Sequence, residues 1–176
     1  MNKIAILLAA TMVAGAAVAA PFGSGEAKPW TLNVQLALPQ NDHKDAGVDN
    51  MIGVGLDYNL GAMSMDTPAN LYVGALYVFG SGDFSLKTRT YGAHAGLLFN
   101  LGENQALPLA LKLQAGYYNT RLSNGSADDK WAIGGLLGLV YRPAGQQFQF
   151  EGGYYIYPEV NKVDNRGFYV GAGFRF

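Results

Sequence analysis

The sequence predicts an all-β protein, namely an eight-stranded antiparallel up-and-down transmembrane β-barrel that follows a cleaved N-terminal signal peptide. Three observations lead to this fold. Beyond the first twenty residues, no stretch approaches the roughly 18 consecutive apolar residues that a membrane helix requires. Apolar and other residues alternate with the period of two that is typical of strands, in eight successive segments. Aromatic residues gather near both ends of these segments, as they do at the two interfaces of a membrane barrel.

The N-terminal segment has the three parts of a secretory signal peptide. Lys3 supplies a positive start, residues 4–20 are apolar and rich in alanine, and residues 17–19 show the small-x-small pattern of a cleavage site. An uncleaved membrane anchor is the alternative, but the apolar stretch is short and ends in small residues. We therefore expect export, with residues 1–19 removed and residues 20–29 left as a short periplasmic leader.

Composition excludes several classes of function. Charged residues make up 14% of the 176 residues, against about 25% in ordinary soluble domains, and the formal net charge is -1. A chain with this charge balance offers no basic surface for nucleic acid. The absence of cysteine removes disulfides, thiolate catalysis and cysteine-ligated metals. The sequence therefore predicts one barrel domain, residues 30–176.

Each alternating segment covers about nine to eleven residues, the length with which a tilted strand crosses a bilayer. The eight segments are 30–38, 52–60, 71–79, 91–101, 109–117, 131–141, 148–156 and 168–176. A soluble β-sandwich would also alternate, because each of its strands has one apolar face. The other face decides against it, since that face is rich in glycine and amide side chains where a solvated face would favour threonine, lysine and glutamate. Small residues suit the narrow interior of an eight-stranded barrel.

The aromatic residues on the apolar face form two rows. With the N-terminus on the periplasmic side, odd strands run outward and even strands run back. The row expected at the periplasmic rim contains Trp30, Tyr58, Phe99, Tyr141, Phe148 and Phe174. The row expected at the outer rim contains Tyr77, Phe79, Tyr91, Tyr117, Trp131 and Tyr154. Such rows match the interfacial belts of a membrane barrel.

The connections alternate between long, charged segments and short turns. Segments 40–50, 81–89, 119–130 and 158–166 hold most of the charged residues and are predicted to be outer loops. Segments 102–108 and 143–147 are shorter and contain the glycine and proline of tight turns. Segment 61–70 is long for a periplasmic turn, and the sequence offers no physical reason for its length.

Five charged residues fall on the inward face of the predicted barrel, toward its periplasmic half: Asp57, Lys112, Arg142, Glu151 and Arg175. An unpaired charge inside a barrel is costly, so these residues should form ion pairs. Strands six and eight flank strand seven, which predicts that Glu151 lies between the guanidinium groups of Arg142 and Arg175.

The C-terminal segment carries a family resemblance. Residues 169–176 have a polar residue at Tyr169, a glycine at Gly171, and aromatic residues at Phe174 and Phe176, the third-last and last positions. This pattern resembles the terminal signature of bacterial outer-membrane barrels. The mature chain is similar to the small eight-stranded group that includes the OmpA transmembrane domain, OmpX and the opacity-type surface proteins. This resemblance does not identify a subfamily.

The resemblance implies a monomer in the outer membrane, in contact with its lipids and lipopolysaccharide and recognised by the insertion machinery through its last strand. It leaves three functions open. The first is a structural or surface-interaction role with a plugged polar lumen, and the second is a narrow ion or small-solute channel gated by the inward charges. The third is a lipid A-modifying enzyme.

Catalytic residues are not evident in the sequence. A hydrolase needs serine and histidine within hydrogen-bond reach, whereas His43 falls in the first outer loop and His94 in the fourth strand. The serines of the mature chain are expected outside the strands; they are Ser24, Ser64, Ser81, Ser85, Ser123 and Ser126. Two distant histidines make a poor metal site. We therefore expect no enzyme activity, cofactor or metal, and interpret His94 as a packed interior residue.

Overall fold

The fold is a closed antiparallel barrel of eight strands that follow one another in sequence order. This description rests on a computed structural model, in which residues 30–40, 42–45, 47–62, 69–82, 86–101, 108–124, 126–143 and 145–176 are described. The predicted fold class is confirmed. The expected signal peptide and leader, residues 1–29, lie outside the described residues. In the described part of the chain, no helix has the length and hydrophobicity needed to cross a bilayer.

The strands have 10 to 16 residues. They are β1 (Trp30–Pro39), β2 (Met51–Ala62), β3 (Ala69–Ser81), β4 (Lys87–Asn100), β5 (Leu109–Asn124), β6 (Ser126–Tyr141), β7 (Phe148–Val160) and β8 (Val163–Arg175), and one short helix, α1 (Asp42–Asp45), follows β1. The pairing of β1 with β8 closes the barrel. At that seam the backbones of Trp30 and Phe176 exchange two hydrogen bonds, of 3.1 and 2.9 Å. We call this end of the barrel the terminal end and the opposite end the distal end.

The predictions of outer loops at 119–130 and 158–166 are wrong, because these residues continue the strands. The β5–β6 ladder extends as far as the pair Asn124 and Ser126. The β7–β8 hairpin closes at Asn161 and Lys162, whose φ angles of 54° and 65° are those of a tight hairpin turn. The outward face of these extensions carries polar residues such as Arg121, Asp129 and Asp164, so it lacks the apolar residues that mark a lipid-facing strand. The ladder continues because backbone pairing does not need an apolar face.

The unexplained segment 61–70 is also shorter than predicted. Pairing of β2 with β3 continues through a register shift between Asn59 and Gly61 and ends at the pair Ala62 and Asn70. The bulge adds one residue to β2 and so moves the strand end away from the predicted boundary. The remaining connection, residues 63–68, lies outside the described residues.

The two faces of the wall confirm the predicted alternation. Aliphatic residues on the outer face are open to the surroundings, and Ile133 is 80% exposed. The aromatic rows are present at both ends, for example in the contacts of Trp30 with Tyr58, 4.7 Å between ring centroids, and of Tyr117 with Trp131, 5.3 Å. Phe174 differs from its row because it is only 2% exposed: it lies between the rings of Phe148 and Phe176.

A positive charge placed on the outer wall at mid-height tests this assignment of faces. Leu137 lies on β6 about midway between the two aromatic rows, is 51% exposed, and pairs with Leu113 and Tyr154 on the neighbouring strands. We expect Leu137→Arg to lower the free energy of unfolding in phospholipid vesicles by about 2 to 4 kcal/mol, the cost of arginine at the bilayer midplane. Gln146→Arg, in an exposed turn at the terminal end, is the control and should leave stability unchanged. Equal urea unfolding midpoints for Leu137→Arg and the parent would contradict the assignment.

Candidate functional site

The candidate site is the lumen, where inward side chains form three layers. The ionic layer, nearest the terminal end, consists of Asp57, His94, Lys112 and Glu151. The tyrosine layer fills the middle and consists of Tyr118, Tyr155, Tyr157 and Tyr169. The threonine layer, nearest the distal end, consists of Thr90, Thr120 and Asn165. All eleven side chains belong to residues that are at most 8% exposed.

Lys112 is the centre of the ionic layer. Its Nζ lies 2.9 Å from Glu151 Oε2 and 3.4 Å from Asp57 Oδ2, so one ammonium group is shared between two carboxylates. The same Nζ lies 5.4 Å from the centroid of the Tyr72 ring, within the range of a cation–π contact. Opposite charges in contact offset the large cost of removing each of them from water.

Asp57 has two further donors. Asn33 Nδ2 donates to Asp57 Oδ2 at 2.8 Å, and His94 Nε2 lies 2.7 Å from Asp57 Oδ1. Since an ionised carboxylate only accepts hydrogen bonds, the proton of this contact is on Nε2. His94 Nδ1 is buried and has no partner among the described residues. His94 is a packed interior residue, as expected, and it also orients the carboxylate that binds Lys112.

A glycine on the intervening strand allows the contact of Asp57 with His94. Gly74 of β3 pairs in register with both residues, so the two side chains meet above a residue that has none. A Cβ at Gly74 would lie 2.7 Å from His94 Nε2. Gly138 of β6, the cross-strand partner of Lys112, instead leaves room for the hydroxyl group of Tyr169. The sequence signal for the Asp57–His94 contact was a glycine between two inward polar residues.

The predicted placement of Glu151 between two arginines is wrong. Arg142 Nε donates instead to Gln149 Oε1 at 3.1 Å, and Arg175 Nη2 donates to the backbone oxygen of Gln146. Within the described ranges, no carboxylate lies within 4.0 Å of either guanidinium group. Arg142 follows the last residue of β6 and Arg175 is the last residue of β8, so both lie at the terminal mouth, whereas Glu151 lies deeper.

The terminal mouth brings four of the five predicted charged residues together. Asp57, Lys112, Arg142 and Arg175 line one small cavity of about 40 Å³, and Glu151 joins the group through Lys112. A second cavity, beside the ionic layer, measures only about 10 Å³. That is the space of about one water molecule. Side chains therefore fill this part of the lumen.

The tyrosine layer was not predicted. Tyr155 and Tyr157 lie at inward positions of β7, and their rings stack with centroids 4.9 Å apart, while Tyr118 contacts Tyr157 at 5.2 Å. Gln35 Nε2 lies 3.4 Å from the Tyr157 hydroxyl group, and Gln114 Nε2 donates to the Tyr118 hydroxyl group at 2.8 Å. The layer packs on inward aliphatic residues that were likewise not predicted: Met51, Leu76, Val78 and Leu136. The available signal was an aromatic residue at a position of inward parity.

The threonine layer closes the distal part of the lumen. The hydroxyl oxygens of Thr90 and Thr120 are 3.0 Å apart, and Asn165 Nδ2 donates to Thr90 Oγ1 at 3.1 Å. The two hydroxyl groups and the Asn165 amide nitrogen thus bind one another inside the barrel, while the buried Asn165 Oδ1 has no hydrogen-bond partner among the described residues. The lumen therefore changes from charged to aromatic to neutral polar between its two ends.

The residues considered for catalysis are not assembled. His43 belongs to the short helix α1, whereas His94 is on β4 and contacts Asp57. Three of the serines expected in loops, Ser81, Ser123 and Ser126, are instead strand residues at the distal end. Among the described residues, no group of three or more histidine, cysteine, aspartate or glutamate side chains is placed to hold a metal ion.

The C-terminal signature lies along the β1–β8 seam. Tyr169 and Gly171 pair in register with Ala37 and Gln35, and the Tyr169 side chain points into the lumen, where it is buried. Phe174 and Phe176 stack with ring centroids 6.3 Å apart. The last strand is therefore paired with β1 from Gly167 to Arg175 and with β7 on its other side.

Comparisons with known proteins agree with this architecture. The family model described as outer membrane protein beta-barrel domain matches residues 5–176. Among solved structures the chain is similar to Yersinia pestis Ail in a phospholipid bilayer nanodisc, with 15% sequence identity, coverage of 85% of this chain and 100% of that chain, and a TM-score of 0.55. The N-terminal β-barrel domain of Pseudomonas aeruginosa OprF is similar with 13% sequence identity, coverage of 86% of this chain and 100% of that chain, and a TM-score of 0.54. Neisserial surface protein A is similar with 14% sequence identity, coverage of 87% of this chain and 100% of that chain, and a TM-score of 0.53. No curated protein sequence matches the chain.

Removing the shared ammonium group of Lys112 tests the ionic layer. We expect Lys112→Met to lower the free energy of unfolding by about 3 to 5 kcal/mol, because it leaves the buried carboxylates of Asp57 and Glu151 without a cation. The double variant Lys112→Met with Glu151→Gln should recover part of the loss, since it removes one of the two uncompensated charges. Urea unfolding of the refolded barrel measures all three proteins.

The matched control adds Glu151→Gln to Arg142→Gln. Arg142 is a cation of the same mouth that does not contact Glu151, so the second change should recover nothing. Recovery with Arg142→Gln in place of Lys112→Met would show that Glu151 pairs with the arginine, contrary to the geometry of the ionic layer.

Proposed function

We propose a structural and surface-interaction role for this chain, which belongs to the outer membrane protein beta-barrel domain family and lies in the outer membrane of Gram-negative bacteria. In this role the barrel is a lipid-embedded wall with a plugged lumen, and it catalyses no reaction. Its outer face contacts the membrane lipids, and its distal end faces the cell exterior. The similarity to solved structures supports the fold, but at such low sequence identity it does not point to a particular partner.

The tyrosine layer is the observation that carries this proposal. Tyr118, Tyr155 and Tyr157 are at most 3% exposed and stack across the lumen between its two polar layers. An ion that crosses the barrel would have to displace these rings as well as break the contacts of Lys112. Close-packed interiors resist such a change.

A narrow channel is the second candidate. The observation in its favour is the shared ammonium group: Lys112 has carboxylate partners on two sides, at 2.9 and 3.4 Å, and could move between them. The cavity of about 40 Å³ at the terminal mouth would admit water as far as this layer. The tyrosine layer, which lies beyond the ionic layer, keeps such a channel closed in its resting state.

A lipid A-modifying enzyme is the third candidate. It would need His94, or another base, beside a nucleophile. Asp57 and His94 form a carboxylate–histidine pair, but the ring lies inside the lumen between Tyr72 and Tyr118 and away from the lipid face. A fatty acyl chain would have no path to it through the closed wall.

Processing and assembly follow the same proposal. Residues 1–19 are removed after export, and residues 20–29 remain as a periplasmic leader. The outer-membrane insertion machinery recognises the last strand through Tyr169, Gly171, Phe174 and Phe176. Because the outer face offers apolar residues around the whole barrel, lipid covers it and the protein is a monomer.

Single-channel recording in planar bilayers tests the plugged lumen. We expect the refolded parent to give no conductance steps, and a Tyr155→Ala, Tyr157→Ala double variant to give them, because it removes stacked rings from the barrier. Phe148→Ala and Phe150→Ala, on the outer face of the same strand, form the matched control and should stay silent. Regular conductance steps from the parent would replace the structural role with the channel.

Mass spectrometry of lipid A from cells that express the barrel tests the third candidate in parallel. The proposal expects the same acylation pattern with and without the protein. A changed number of acyl chains would establish an enzyme.

A further inference from the structure

Two arginines stand opposite each other on the outer wall at the distal end. Arg89 of β4 and Arg121 of β5 are direct cross-strand partners, and both side chains are exposed. Lys87, two residues beyond Arg89, is on the same outward face and is also exposed. Like charges placed directly opposite in a sheet destabilise it unless something compensates them.

The carboxylate nearest to this pair in the sheet is used elsewhere. Asp129 of β6 is the other cross-strand partner of Arg121, but its Oδ2 accepts a hydrogen bond from Asn119 Nδ2 at 2.9 Å. In the part of the chain that the structure describes, no ion pair within 4.0 Å reaches Arg89 or Arg121. By contrast, Arg166 on the opposite side of the barrel lies 2.7 Å from Asp164. The two arginines are therefore available for an external anion.

Directly below the arginines is a platform of three aromatic residues, Tyr91, Tyr117 and Trp131. Trp131 stacks on Tyr117 at 5.3 Å and meets the edge of Tyr91 at 5.6 Å, and all three rings remain exposed on the outer face. Ile133, the next outward residue of β6, continues the surface toward the bilayer centre. Aromatic belts lie at the headgroup level of a membrane, so the arginines just above them lie at the depth of lipid phosphates.

We propose that Arg89 and Arg121, with the aromatic platform of Tyr91, Tyr117 and Trp131, form a binding site for the phosphorylated headgroup of lipopolysaccharide. Each guanidinium group offers a planar fork of donors that suits phosphate oxygens. The rings bind the apolar part of the same molecule where its sugars meet its acyl chains. The inference rests on the proposed function only in placing the distal end in the outer leaflet.

The position of the site favours a lipid over a soluble anion. The arginines are on the side wall of the barrel, above a lipid-facing surface, and not on the hairpin tips that face the medium. A free phosphate ion would gain nothing from the exposed aromatic rings. A lipid with a phosphorylated headgroup uses both halves of the site at once.

Trp131 provides a reporter for this binding, because the chain has two tryptophans and the other, Trp30, is at the terminal end. A Trp30→Phe barrel, refolded in detergent micelles, is titrated with lipopolysaccharide while tryptophan emission is followed. We expect a saturable change in the emission of Trp131. Lipopolysaccharide from which the phosphates have been removed should bind much more weakly.

Charge removal then tests the two arginines. In the Trp30→Phe background, Arg89→Gln with Arg121→Gln should weaken binding about 25-fold, since each basic residue near an anionic lipid contributes about a fivefold factor. Lys162→Gln is the matched control: it removes an exposed cation at the same end, in the β7–β8 turn, and should change the affinity less than twofold.

Two results would overturn the site. One is equal affinity of the double variant and the parent for lipopolysaccharide. The other is an equal change of emission with inorganic phosphate, which would show a site for a free ion. Heat-modifiable gel mobility confirms in each sample that the barrel is folded. A folded, non-conducting barrel that fails these tests overturns this inference alone, whereas conductance by the parent overturns the proposed function and leaves the lipid site standing.

Discussion

The compensation of one buried ammonium group organises the interior of this barrel. Lys112 is only 4% exposed, and a charge in such a place is tolerated when partners surround it. Glu151 and Asp57 supply the opposite charge, and Asn33 and His94 hold Asp57 in position. Gly74 belongs to the same arrangement, because a larger residue there would occupy the space in which Asp57 and His94 meet.

The arrangement along the barrel axis follows from this placement of charge. The ionic layer is near the terminal mouth, where a small polar cavity and two arginines border it. The tyrosine layer beyond it separates the charges from the distal end, and hydrogen bonds link the three side chains of the threonine layer. On the outer wall, apolar residues cover the middle and the exposed cations Lys87, Arg89 and Arg121 are at the distal rim. The interior thus supports a closed wall, and the chemistry available to partners is on the outside.

The sequence was sufficient to predict the fold, because the residues of a membrane-barrel strand alternate in a simple pattern. Every second residue faces lipid, so the period of two identifies both the strands and the faces, and both were confirmed. The pattern fails where the outward face is polar, which is why the β5–β6 hairpin extends beyond its predicted end. The period of two also cannot predict which inward side chains contact one another across the lumen. Parity places Glu151, Lys112 and Arg142 on the inner face, but which side chains meet depends on depth and on the intervening glycine. The tyrosine layer was overlooked because inward aromatic residues follow no period of their own.

The distance from Lys112 to Glu151 in the folded barrel tests the central claim most directly. Solid-state NMR on the barrel in lipid bilayers, with ¹⁵N-labelled lysine and ¹³C-labelled glutamate, measures the dipolar coupling between the ammonium nitrogen and the carboxylate carbon. An Nζ to Oε2 contact of 2.9 Å predicts a strong coupling that disappears in Glu151→Gln. The absence of this coupling, together with rapid exchange of the Lys112 ammonium protons with water, would show a hydrated lumen and contradict the plugged interior.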